Sequence, residues 1–249
     1  IKIISQEAAK KMGKPVGSYI TLEADGVLEE EDGIKEKTAK AVAGELGQLL
    51  RVDYTLKVLV AGLGNSLVTP DRLGPETAAK VRVTRHLFVI FDADGDEEMS
   101  NVSCIIPGVT GSTGMETAEV IKKVAEIVKP DVVIVIDSLA ARDIDRVSTT
   151  IQLTDTGISP GSGVQNSRKE LSRRTLGIPV IAVGVPTVID MHTVCENLSG
   201  NVPDRKLPNL MVTPRDIDRI AEKMSKLLSV AINRAFQPML THEDIAALS

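Results

Sequence analysis

Residues 129–143 read KPDVVIVIDSLAARD. Five apolar residues in a row, 132–136, with no polar partner between them, form a strand covered on both faces, the pattern of a parallel sheet held between helix layers. The Lys-Pro before it ends a preceding helix. That helix is expected from Ala118, Ile121, Val124, Ala125 and Val128, with capping-box spacing at Thr113–Glu116. KVLVAGLGN (57–65) is a second bare strand that runs into glycines, and IPVIAVG (178–184) a third.

Beyond these three strands, helix and strand signals alternate. Residues 1–5 and 17–23 read as short strands, and 87–91 (LFVIF) and 102–106 (VSCII) as further candidates, with the acidic run 92–98 a solvated hairpin loop. Residues 31–50 carry Ile34, Ala41, Val42, Leu46, Leu49 and Leu50 at helical spacing. Thr213–Asp216 opens a long helix whose stripe is Ile217, Ile220, Ala221, Met224, Leu227, Leu228 and Ala231. A short helix is expected after Thr241, and 199–208 reads as a mobile loop. The fold class is α/β: a three-layer αβα arrangement around a mostly parallel, mixed sheet. The chain reads as one domain, 1–249, with 1–50 as an appended N-terminal layer on a 51–249 core.

Composition narrows the function. The 249 residues hold 29 Lys and Arg against 34 Asp and Glu, a net charge of −5, with 43% apolar residues. A chain that neutralises many phosphates is basic overall or along a stripe. With no Trp, two Tyr and three Phe, stacking platforms for single strands are also missing. No run approaches the roughly 20 apolar residues of a membrane helix. Cys104 and Cys195 form no CxxC pair, which fits a reducing compartment. The start at Ile1 without Met is expected to reflect a processed or trimmed terminus.

Several motifs fail on inspection. GLGN (62–65) has Leu67 where a dinucleotide fingerprint needs glycine. No nucleophile elbow and no HExxH are present. GVTGSTG (108–114) reads either as an anion cradle or as turns that need glycine angles. Asp155-Thr156-Gly157 spells the pepsin tripeptide once, on the wrong kind of scaffold, and is expected instead as a turn lining a cleft.

Two aspartates carry the chemistry. Asp137 directly follows the 132–136 strand, and Asp71 lies in the loop after the 57–62 strand. Ligands of open α/β sheets bind beyond the carboxyl ends of strands. If the two strands are neighbours, both carboxyls reach one crevice, where one keeps a proton and the other ionises. Such a pair activates a water and protonates a leaving amine. The alternative is that each caps a helix, Asp71 one near Leu73 and Asp137 one at 139–142. Gly64, Asn65, Arg142, Asp155 and Arg168 are the expected cleft residues, and the basic cluster Arg168, Lys169, Arg173 and Arg174 is expected to attract an acidic side chain.

AGLGNSLVTPDRLGP, VTRHL, IPGVTGSTGMET, KPDVVIVIDSLAARDIDRV, TIQLTDTGISPGSGVQNSRKELS, LGIPVIAVGVPTVID and NLMVTPRDID together resemble the spore germination proteases. The resemblance runs from about residue 3 to 245. It implies an endopeptidase that degrades small acid-soluble spore proteins in the cytoplasm of the spore core. It further implies a zymogen, a homotetramer, no cofactor, and an atypical aspartic-type mechanism whose two essential aspartates fall on Asp71 and Asp137. The implied fold is phosphorylase/hydrolase-like and similar to hydrogenase maturation endopeptidases. Those bind a metal through two acidic residues and a His, so Asp71, Asp137 and His192 form an alternative metal set that the spore-protease resemblance does not call for. The stretch 197–209 is short for the family. GLGN and Thr84-Arg85-His86 are similar in part to peptidyl-tRNA hydrolase motifs. However, the Pro-Gly is missing, Leu87 stands in place of Asn, and the acidic balance opposes tRNA.

Overall fold

The computed structural model describes residues 1–24, 26–28, 33–50, 56–91, 99–164, 168–200, 209–237 and 239. The expected acidic hairpin loop at 92–98, nearly all of the 199–208 loop and the helix after Thr241 lie outside the described residues.

The chain runs β1 (Lys2–Ile3), α1 (Gln6–Met12), β2 (Gly17–Glu23), α2 (Ile34–Leu50), β3 (Lys57–Gly62), α3 (Leu73–Ala78), α4 (Arg85–Phe91) and β4 (Asn101–Ile105). It continues through α5 (Thr110–Thr113), α6 (Thr117–Val128), β5 (Val132–Ala141), β6 (Thr150–Thr154), α7 (Arg173–Leu176), β7 (Val180–Asp190), α8 (Met191–Ser199), β8 (Met211–Val212) and α9 (Ile217–Phe236). One sheet joins the strands in the order β1-β2-β6-β7-β5-β3-β4, with β8 on the far end of β7. The block β4-β3-β5-β7 is parallel, and β6, β2 and β1 extend it through antiparallel pairs. The fold is three-layer αβα with a mixed sheet.

The bare apolar runs explain the layers. Successive side chains of a strand point to opposite faces. Val58, Val60, Ile134, Ile136, Ile181 and Val183 therefore join the core under α2, α3 and α9. Their neighbours Leu59, Ala61, Val133, Val135, Val180 and Ala182 meet Ala118, Ile121 and Ala125 of α6 on the other face. All seven residues of the expected α9 stripe are buried. In α2 the stripe is shifted: Ala41 is exposed, while Ala39, Val42, Ala43 and Leu46 turn inward.

Four local expectations are corrected. Residues 87–91 are the end of α4, since an apolar run of five has no period that separates helix from strand. The 1–5 strand shrinks to two residues because Ser5 caps α1, accepting a bond from the Ala8 N–H at 3.2 Å. Thr113 closes the four-residue α5, and α6 starts after Glu116, whose side chain makes no capping bond. Residues 139–142 form no helix; β5 runs on to Ala141.

Leu46 and Met224 are fully buried where α2 and α9 cover the sheet. Met224→Ala is expected to cost about 2–5 kcal/mol in urea unfolding. A loss below about 1 kcal/mol would show that this interface is not tightly packed.

Candidate active site

Asp71 is placed by a tight turn out of β3. The strand ends at Gly62, and the chain then passes so close to α3 that side chains are excluded. A Cβ on Gly62 would sit 2.3 Å from the Gly74 carbonyl oxygen. Gly64 takes φ +115°, and a Cβ there would sit 2.1 Å from the Asp71 carbonyl oxygen, so both the angle and the space demand glycine. The turn closes on itself. The Asn65 N–H donates to Asp71 Oδ2 at 2.8 Å, and the Val68 N–H donates to the Asn65 carbonyl at 3.0 Å. Thr187 of β7 donates through Oγ1 to the Pro70 carbonyl at 2.7 Å, which ties the turn to the sheet.

Asp137 lies inside β5 and not after it, one residue past the Gly62↔Ile136 pair that ends the β3–β5 ladder. β3 and β5 are parallel neighbours, the condition the crevice argument required. The connection from β3 leads outward to β4 at the edge, while β5 leads towards β6 and β7, so the two loops diverge and open a crevice. Neither carboxyl caps a helix. Arg72 precedes α3 without a side-chain capping bond, and Asp71 spends its carboxylate on Asn65.

The crevice is a cleft of about 690 Å³ lined by both aspartates. Gly64, Asn65, Arg142 and Arg168 line it as well, as do Val109, Thr110 and Gly111 of the glycine-rich loop. The glycines at the ends of that loop act in turns, Gly108 at φ +70° and Gly114 at φ +72°.

Other expected residues fall elsewhere. Asp155 is not in the cleft; it accepts the Ser18 N–H at 2.7 Å and fixes the start of β2 beside the end of β6. A short polar turn after a strand does not reveal at which end of the sheet it lies. Of the basic cluster only Arg168 lines the cleft. Lys169 pairs with Glu119, Arg174 pairs with Glu170, and Arg173 lines a separate pocket near Asp155. Among the described residues no three His, Cys, Asp or Glu side chains gather closely enough to hold a metal, so Asp71, Asp137 and His192 form no such set. His192 sits in the first turn of α8, its N–H capped by Asp190. His86, on α4, does not line the cleft either. Both cysteines are free and outside the cleft, and burial pushes the Cys104 thiol up to about 11.

Sequence reasoning did not identify Thr187 or Thr110. Thr187 sits within VPTVID, where its hydroxyl reads as ordinary β-branched strand content.

The electrostatics separate the two acids. Burial raises Asp71 above its ordinary value, and the Asn65 N–H bond opposes this by favouring the carboxylate. Burial and then the charge of Asp71 push Asp137 up to about 8, against the weaker pull of the Ser138 N–H. Asp137, the more deeply buried of the two and facing the Asp71 charge, is the carboxyl held towards its protonated form.

The sequence profile of the germination proteases matches residues 1–201. The chain belongs to the germination protease family. It is therefore a peptidase, a hydrolase of peptide bonds. A germination protease of Caldanaerobacter subterraneus subsp. tengcongensis is 41% identical over 281 aligned positions, which cover 100% of this chain and 87% of that protein. One from Clostridium tetani is 40% identical, covering 98% and 86%. One from a Geobacillus species is 51% identical over 194 positions, 77% of this chain and 52% of that one. Among solved structures, a NiFe hydrogenase maturation protease from Thermococcus kodakarensis superposes with a TM-score of 0.42 at 14% identity, covering 76% of this chain and 99% of that one. No described helix is long and apolar enough to cross a membrane.

A raised folded-state value means that the folded chain holds a proton the unfolded chain has released. Between the free-Asp value of 3.8 and about 8, stability should therefore fall as pH rises, by up to about 1.4 kcal/mol per pH unit from this group. Asp137→Asn should flatten that decline in urea unfolding at pH 5 and pH 8. An unchanged slope would mean that Asp137 ionises freely.

Proposed function

We propose that the chain is an endopeptidase of the aspartic type, in which Asp71 and Asp137 together hydrolyse the peptide bond. The observation that carries this is the meeting of both carboxyls in one cleft, with burial and then the charge of Asp71 favouring the proton on Asp137. The Asp71 carboxylate takes a proton from water, and the new hydroxyl bonds to the scissile carbonyl carbon. Asp137 gives its proton to the carbonyl oxygen, forming a tetrahedral diol. Asp71 then passes its proton to the amide nitrogen, the C–N bond breaks, and a diol hydroxyl returns its proton to Asp137. Each step conserves protons, and both acids end as they began.

The substrate in this reading is the small acid-soluble spore proteins, cut in the spore core. A zymogen and a homotetramer complete the reading, and their support is the motif resemblance. Arg142 and Arg168 give the cleft two guanidiniums with no ion pair among the described residues, suited to a carboxylate of the substrate.

Asp71→Asn and Asp137→Asn are each expected to lower cleavage of spore-protein peptides at least about 10³-fold, the scale of losing a general acid or base. Far-UV circular dichroism should be unchanged. Near-wild-type turnover in either variant would remove that residue from the chemistry. In Arg142→Glu with Arg168→Glu, KM should rise for peptides with an acidic residue near the cut and stay level for neutral ones. An equal rise for both would assign these arginines no part in recognition.

A further inference from the structure

β5 changes its company at the cleft. Up to Ile136 it is paired on both edges, with β3 on one and β7 on the other. The last bond on the β3 side is the Leu63 N–H donating to the Ile136 carbonyl at 2.8 Å. β7 accompanies the other edge to the Ala141↔Ile189 pair. Among the described residues the 138–141 stretch is thus paired with a strand on one side only, and Ser138, Leu139 and Ala140 line the cleft.

In the interior of a sheet, successive residues offer their main-chain groups to alternate neighbours. Ile136 faces the β3 edge, so Ser138 faces the same edge where β3 has ended, and Ala140 follows it across the register shift that the pairing with β7 makes between Leu139 and Ala140, where β7 carries the extra residue. The Ser138 N–H is turned onto Asp137 Oδ1 at 3.0 Å. Among the described residues, no loop or turn bonds the Ser138 carbonyl or the main chain of Ala140. Ser138 Oγ and Thr110 Oγ1 are shut off from solvent without any hydrogen-bond partner, and both residues line this cleft. Buried hydroxyls left unpaired cost about 1–3 kcal/mol each, so two of them in the lining of one cleft mark a place built for a polar guest.

A short open edge is a template for one more strand. It begins one residue past Asp137, within the same cleft as Asp71. We propose that the substrate polypeptide docks as an extended strand along the Ser138–Ala140 edge of β5, with its main chain completing the ladder that β3 abandons. The inference rests on the peptidase reading above and adds its binding mode. A substrate N–H donates to the Ser138 carbonyl, and the Ala140 N–H donates to a substrate carbonyl two residues along. The scissile amide is thereby held beside the carboxyl pair. The grip is on main-chain groups, and the cleft side chains select among sequences.

Peptides spanning one cleavage site of a small acid-soluble spore protein, each N-methylated at a single main-chain nitrogen, test this against wild-type enzyme. Losses of about tenfold or more in kcat/KM are expected at alternate positions, with the positions between nearly unaffected. A second readout is amide hydrogen exchange in the Asp71→Asn protein saturated with the parent peptide, where the Ala140 amide should slow at least about tenfold. Cleavage of the parent peptide with no two-residue period, or saturation with unchanged exchange at Ala140, would overturn strand docking and leave the peptidase reading standing. Failure of the wild-type chain to cut any parent peptide would overturn that reading, and the docking with it.

Discussion

The site depends on how closely the end of β3 can approach α3. Gly62 and Gly74 meet backbone to backbone, and a Cβ on Gly74 would lie 2.2 Å from the Leu63 carbonyl oxygen and 2.5 Å from that of Ile136. Only with both side chains absent can β3 finish flush against β5 and turn at once into the Asn65–Asp71 loop. That turn brings Asp71 back over the sheet, beside the first residue of β5 that β3 no longer covers. A longer or looser turn would leave the two carboxyls in separate surroundings.

Once they share a cleft, elementary electrostatics assigns their states. Two ionised carboxylates in a partly dry site repel, and burial penalises each charge separately. Burial weighs most, and it is deeper for Asp137. The Asn65 N–H stabilises the Asp71 carboxylate, whereas Asp137 is more deeply buried and has only the adjacent Ser138 N–H. Two carboxyls of the same residue type are thus held in unlike surroundings within one cleft. The unfilled hydroxyls and the unpaired strand edge lie in this same cleft.

Much of this arrangement was legible in the sequence. Bare apolar runs at 57–62, 132–136 and 178–184 marked the parallel core, and the periodic α9 stripe fell residue for residue on buried positions. The adjacency of β3 and β5 was a condition in the sequence reading, not a result, because strand order depends on tertiary pairing. Residues 87–91 misled because five apolar residues carry no period. Asp155 misled because its turn lies at the opposite end of a sheet from the crevice, a difference that local composition does not encode. The continuation of β5 through Ser138–Ala141, where small residues blur the strand signal, was likewise invisible, and that stretch forms the open edge.

The most direct measurement of the central claim is a titration of the Asp71 and Asp137 carboxyl carbons by ¹³C nuclear magnetic resonance, in the wild-type chain and in Asp71→Asn. The account requires Asp137 to stay protonated through neutral pH and to titrate near 8, as its surroundings imply. Its midpoint should move down when the Asp71 charge is removed. A midpoint for Asp137 near the free value of 3.8, unmoved by Asp71→Asn, would contradict the sharing of one cleft and one proton by the two acids.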